Sequence, residues 1–226
     1  MNIGLIVAAG RGYRVGGPLP KQYLPLAGQP ILRHTIQALA RHQALDAVQV
    51  LIHPDDQALY DEATAGLEKL LAVRFGGKER QDSVRLGLEA IAPLKPETVL
   101  IHDAVRPFIA LHTVSAVLEV LKRGAAAIVG VPLADTLKRV EDGVVTGTIS
   151  RAGLWRAQTP QGFRYQDILH AHRHAVQTAP EMDFTDDAMI AEHAGLRVEM
   201  VQGAEDNFKI TTAADLARAE AMLAGP

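Results

Sequence analysis

Leu5-Ile6-Val7-Ala8-Ala9-Gly10-Arg11-Gly12-Tyr13-Arg14, running on through Gly16-Gly17 to Pro20-Lys21-Gln22-Tyr23, sets the frame for the rest of the chain. It begins as an unbroken apolar run, as a strand buried on both faces does, and becomes a loop of small and basic residues. Backbone bare of bulky side chains can approach a phosphate closely and aim its N–H groups at it. Arg14 and Lys21 add formal positive charge where the loop can wrap. The pattern suits a triphosphate cradle; a glycine turn without a ligand is the alternative.

Two familiar phosphate-binding motifs do not match. The dinucleotide fingerprint requires G-x-G-x-x-G, but Val15 stands where the third glycine belongs, before Gly16 and Gly17. The P-loop requires glycine directly before lysine and then Ser or Thr, whereas Lys21 lies between Pro20 and Gln22.

The 226 residues, 48% hydrophobic and 22% charged, are enough for one large domain or two small ones with a substantial core. A net charge of −3 supplies no global basic field, so no nucleic-acid partner is expected, although a local basic loop could hold a small polyanion. Without cysteine there is no disulfide framework or thiolate site. No apolar run reaches the roughly 18 residues of a membrane span and no leader pattern precedes the first strand, so a cytoplasmic protein without a membrane partner is expected. No repeat, low-complexity tract or linker interrupts the chain.

Beyond the cradle, Pro30 opens a helical pattern carrying Ile31, Ile36 and Leu39; Ala47 to Ile52 forms a second strand, and a helix around Gln57 to Ala65 leads to a short strand near Leu71 to Phe75. Strands alternating with helices imply right-handed crossovers and a mostly parallel sheet, with ligands beyond the carboxyl ends of the strands. Gly76-Gly77-Lys78-Glu79-Arg80-Gln81-Asp82-Ser83 joins such a strand to a helix, with Asp82 or Ser83 as the expected cap. Thr98 to Ile101 is a strand ending in His102-Asp103-Ala104-Val105-Arg106. Asp103 there either holds a magnesium ion on phosphate oxygens or caps the next turn. A helix over Leu111 to Leu121 and a strand over Ala125 to Val131 follow. Residues 135 to 149, two short runs around Glu141-Asp142-Gly143, predict a β-hairpin. Trp155 is assigned to packing, and Thr159 either faces a substrate or is a buried structural threonine. His170, His172 and His174 invite a metal site, but only His170 and His174 share a helical face and nothing is spaced to complete the set, so a solvated face is expected. Asp183 to Asp187 is assigned to capping a helix that runs to His193. Arg197 to Val201 is the last strand, and Thr212 begins the terminal helix.

Ala8-Ala9-Gly10-x-Gly12-x-Arg14 with Pro20-Lys21-Gln22-Tyr23 resembles the signature of nucleotidyltransferases that join a nucleotide to a phosphorylated polyol, and within them the 2-C-methyl-D-erythritol 4-phosphate cytidylyltransferases of non-mevalonate isoprenoid synthesis. The similarity extends over nearly the whole chain. It implies one α/β domain over residues 1–226, Rossmann-like, with a mostly parallel sheet flanked by helices and a hairpin arm at about 133–156 that embraces a second subunit. It further implies that Ala8, Ala9, Gly10, Gly12, Gly77, Ser83 and Ala104 bind CTP, the loop at Gly77 and Ser83 meeting the base. Asp103, Arg106, Thr136 and Thr159 would face the polyol phosphate, with Asp103 as the Mg²⁺ ligand. Arg14, Lys21, Arg151 and Lys209 would be catalytic, Arg151 and Thr136 coming from the partner of a homodimer.

Joining two anions is limited by repulsion and misalignment, so cations that neutralise and align outweigh any general base. Two alternatives share the same residues: a ribitol 5-phosphate cytidylyltransferase, and a catalytically silent nucleotide-binding regulator. Retention of Arg14, Lys21, Asp103 and Lys209 together argues against the second. The sequence leaves open whether the natural polypeptide continues into a later pathway enzyme.

Overall fold

The computed structural model describes residues 1–11 and 19–225. Its seven-stranded sheet is built around β1 (Asn2–Ala8), which pairs in parallel with β4 (Ala47–Ile52) on one side and β6 (Thr98–Asp103) on the other. Beyond β4 lies the short β5 (Arg74–Phe75). Beyond β6 come β10 (Trp155–Arg164), β7 (Ala126–Pro132) and β11 (Val198–Gln202). All pairs are parallel except those of β10, which runs antiparallel to both β6 and β7.

Period-two alternation along β1 explains why the sheet is covered on both faces. Ile6 and Ala8 face a core with α1 (Ile31–Ala40), α2 (Gln57–Thr64) and α4 (Leu111–Lys122). Ile3 and Leu5 face the other core, with α3 (Arg80–Ile91), α5 (Tyr165–Thr178) and α6 (Asp187–His193). A smaller cluster around Leu26, Val105 and Ile210 seats α7 (Ala213–Ala224) beside the two-stranded β2 (Pro25–Leu26) and β3 (Gln29–Pro30). Among the described residues no helix is long and apolar enough to cross a membrane.

The expected hairpin is present as β8 (Leu137–Glu141) and β9 (Val144–Ile149), which pair only with each other among the described residues. Asp142 (φ 49°) and Gly143 (φ 80°) both take the left-handed conformation that a two-residue turn matching strand twist demands. The strands lie almost wholly exposed, with Val144 at 64% and Val145 at 59%.

Several expectations are corrected. Neither Asp82 nor Ser83 caps α3: Glu79 occupies that position, and both residues lie inside the helix. Residues 71–73 are not in a strand, and β5 is limited to two residues. Trp155 is 38% exposed, so it does not pack into the core of this chain. His172 is fully buried and faces Asp187 at 3.2 Å, leaving only His170 and His174 toward the outer side of α5. Asp186 is the cap of α6, accepting from Met189 N, whereas Asp187 is fully buried and ion-paired.

Candidate functional site

The carboxyl ends of β1 and β6 open onto a crevice lined by residues of five separate segments. Each wall comes from a different element. Ala8, Ala9 and Gly10 arrive on the end of β1, Asp103 and Ala104 on the end of β6, and Gly77 and Ser83 at the start of α3. Lys21 enters from a single 3-10 turn and Lys209 from the loop after β11. Gln22, buried beside Lys21, donates from Nε2 to Ala8 O (2.7 Å) and Gly10 O (3.2 Å), which ties that turn to the end of β1.

The loop before α3 is fixed by small residues and one hydroxyl. Gly76 N donates to Ile52 O at 2.9 Å, carrying the loop off the end of β4. A Cβ at Gly76 would stand 2.4 Å from Ala9 Cβ and 2.6 Å from Ser83 Oγ, so only glycine lets this loop meet β1's end. Ser83 Oγ accepts from Gly77 N (3.0 Å) and donates to Glu79 O (3.0 Å).

Asp103 gathers cations from three directions. Lys209 Nζ lies 3.1 Å and Arg106 Nε 3.2 Å from its Oδ2, and Arg80 Nε lies 3.8 Å from Oδ1. Burial alone would push this carboxyl up, but Lys209, Arg80 and Arg106 outweigh it and hold it well below the usual range. It is therefore ionised at neutral pH. Arg80 is itself anchored from behind by Asp187 at 2.8 Å. Burial would lower its affinity for the proton; Asp187 and Asp103 raise it instead.

A magnesium ion, which the resemblance implies, can be tested against this geometry. Among the described residues Oδ1 of Asp103 has only the 3.8 Å approach of Arg80, so an ionised oxygen keeps coordinating capacity. Among the described residues no cluster of three or more His, Asp or Glu side chains could hold an ion. A cation that takes one or two carboxylates and completes its shell with phosphate and water asks no more of the protein than Asp103 Oδ1. The residues fit.

Of the remaining expected residues, those that are described do not line the crevice. Arg106 is buried, with Nε on Asp103 and Nη1 on Asn207 O at 2.8 Å, so its guanidinium is engaged within the protein. Thr159 lies buried next to Asp103, its hydroxyl 3.1 Å from Asp103 N and 2.9 Å from His102 Nδ1. Thr136 and Arg151 are exposed on the arm and its base. Gly12 and Arg14 lie outside the described residues. Gln22, Arg80, His102 and Asn207 have no assigned role in the sequence. Arg80 carried one signal: a cation at a helix N-terminus opposes the dipole and so calls for a carboxylate partner.

Architecture and crevice together are those of an α/β protein with an anion-accepting site over the strand ends. The chain matches, over residues 3–225, the family described as 2-C-methyl-D-erythritol 4-phosphate cytidylyltransferase. It is 46% identical over 220 residues to the protein of that name from Cereibacter sphaeroides, covering 97% of this chain and 96% of the relative. It is 55% identical over 222 residues to the bifunctional enzyme IspD/IspF of Paramagnetospirillum magneticum, covering 98% of this chain but 56% of that protein. The solved 4-diphosphocytidyl-2C-methyl-D-erythritol synthase of Anaerococcus prevotii superposes with a TM-score of 0.86 at 28% identity, covering 99% of this chain and 96% of that one. This chain belongs to the 2-C-methyl-D-erythritol 4-phosphate cytidylyltransferase family. It spans about half the length of the first curated relatives it matches, which are bifunctional.

Proposed function

We propose that this chain is a cytoplasmic cytidylyltransferase that transfers CMP from CTP to 2-C-methyl-D-erythritol 4-phosphate, releasing pyrophosphate. The observation that carries the proposal is the meeting of Lys21, Lys209 and an ionised Asp103 at the crevice that also holds the end of β1 and Gly10. A phosphate oxygen of the polyol phosphate would attack the α-phosphorus of CTP; the new P–O bond forms as the bond to the β-phosphate oxygen breaks. No proton needs removing, since a phosphate monoester is largely ionised near pH 7.

Each side chain then has a defined task. Ala8, Ala9, Gly10 and Gly12 cradle phosphates, with Lys21 and Arg14 stabilising charge on the α-phosphate and the departing pyrophosphate. Gly77, Ser83 and Ala104 line the nucleoside end. Lys209 orients the incoming phosphate, while Arg106 and Thr159 shape the wall around Asp103. Asp103 would hold Mg²⁺, which when bound neutralises triphosphate oxygens.

We further infer that the working unit is a homodimer. The exposed valines of the arm support this, because a two-stranded hairpin is marginal unless its apolar side is covered. Arg151 and Thr136 would then reach the partner's polyol phosphate. Pyrophosphate release is the test, with CTP against ATP, GTP and UTP, with methylerythritol phosphate against ribitol 5-phosphate, and with magnesium added or chelated. Turnover confined to CTP, methylerythritol phosphate and added magnesium is expected; a preference for ribitol 5-phosphate, or no turnover with any pair, overturns the proposal.

A further inference from the structure

We propose that His102, which touches no part of the crevice surface, is a positioning residue that holds Asp103 and the Lys209 loop in register through a closed ring of hydrogen bonds. The proposal rests on the transfer site described above and adds a residue to it. Four buried residues form the ring: His102, Arg106, Asn207 and Thr159. They come from the end of β6 and the turn after it, from β10, and from the loop after β11.

The direction of each link follows from what each group can do. Arg106 O can only accept, so His102 Nε2, 3.0 Å away, carries the ring proton. The Thr159 hydroxyl oxygen is already met by Asp103 N–H, and among the described residues the acceptor within reach of its proton is His102 Nδ1, so Nδ1 is bare. Nδ1 therefore accepts from the Thr159 hydroxyl at 2.9 Å. Thr159 has then used its one proton, and its oxygen accepts Asp103 N–H at 3.1 Å. Arg106 Nη1 donates to Asn207 O at 2.8 Å, and Asn207 Nδ2 donates to Thr159 O at 2.8 Å, which closes the circuit.

Two consequences follow for the site. The Thr159 hydroxyl keeps no proton to offer a substrate, so Thr159 shapes the backbone of Asp103 rather than donating into the crevice. Lys209 lies two residues beyond Asn207, and Ile210 N is pinned to Val105 O at 2.9 Å. The ring thus fixes both partners of the Asp103–Lys209 pair from the side away from the ligand. A tautomeric change at His102 would reverse the Thr159 link and leave Asp103 N–H with a competitor for the same oxygen.

Nitrogen-15 NMR of the full chain tests the tautomer without any substrate. His102, identified by the signal lost in His102→Gln, is expected as the Nε2–H form near pH 7. An Nδ1–H ring or an imidazolium overturns the proposal, even if the wild-type protein transfers no nucleotide. Kinetics test the consequence. His102→Asn keeps an acceptor near the Nδ1 position and loses the donor to Arg106 O; His102→Gln does the reverse. Each is expected to lower kcat about 10-fold or more, with KM for CTP within about twofold, because misalignment rather than nucleotide binding is at stake. Wild-type kcat in both, with unchanged melting, overturns the positioning role; should a variant fail to fold, the tautomer measured on the wild type decides.

Discussion

Lys209 Nζ and Asp103 Oδ2 stand 3.1 Å apart, although one residue comes from a loop near the end of the chain and the other from a central strand. The lysine is 38% exposed at its side chain, so it can reach outward to an anion without leaving its neighbour. Lys209→Ala and Lys21→Ala should each lower kcat by ~10²–10³ while leaving the fold intact, since each would remove a cation whose main action is in the transition state. Pyrophosphate release under saturating CTP measures this; near-normal turnover in either variant would remove that lysine from the mechanism.

Gly10 and Gly76 make a matched pair of probes. Among the described residues a Cβ at Gly10 meets nothing within 4 Å, whereas one at Gly76 collides with Ala9 and Ser83. Gly10→Ala should keep the wild-type urea midpoint but weaken CTP binding, because among the described residues the new methyl group meets no protein atom and projects where the nucleotide is proposed to lie. Gly76→Ala should cost about 1–3 kcal/mol of stability as the loop is forced away from β1. Equal midpoints for the two variants would contradict this assignment of space.

The valines of the hairpin test assembly. Val140→Asp with Val145→Asp places two charges at a cross-strand pair on one face of the hairpin, both positions being exposed in the single chain. Light scattering is expected to show monomers where the parent protein is dimeric, and transfer should fall with dissociation because Arg151 and Thr136 no longer reach a partner. An unaltered mass for the variant would mean that the arm is not the contact.

Acid stability follows from the buried carboxylates. Asp103 and Asp187 are both held below the ordinary 3.8, against burial, chiefly by Lys209 and Arg80 for the first and by Arg80 for the second. As pH falls the unfolded chain takes up these protons first, so the stabilisation is complete above 3.8 and is lost on acidification below it. Asp187→Asn should shrink that acid-side loss and also lower stability at pH 7 by on the order of 2 kcal/mol, as hydrogen bonds to a charged group are broken. Urea titrations at pH 7 and between pH 4 and 3 measure both; an acid limb unchanged by the substitution would refute the linkage.

The apolar runs of β1, β4 and β6 were legible because strands covered on both faces have no polar alternation to obscure them. The hairpin was legible from Glu141-Asp142-Gly143, where local turn chemistry suffices. By contrast β10 was not foreseen as a strand. Pro160 and Gly162 interrupt its pattern, and the register with β7 shifts between Ala157 and Gln161, the kind of irregularity where proline is tolerated. The site divides along the same line. Lys21, Asp103 and Lys209 carry unusual chemistry in recognisable loops, and all three line the crevice. His172 and Asp187 looked like a solvated face and a cap because their partners, each other and Arg80, become neighbours only when α3, α5 and α6 pack together.

β10 leaves the arm at the exposed Trp155, passes Thr159, and reaches the fully buried Phe163 as a single strand. It behaves as a connecting rod with one end outside the molecule and the other bolted into the middle of the sheet. Under the proposed homodimer, a partner gripping the arm would bear on the same strand that floors Asp103, so the exposed end of β10 would be felt at its buried end.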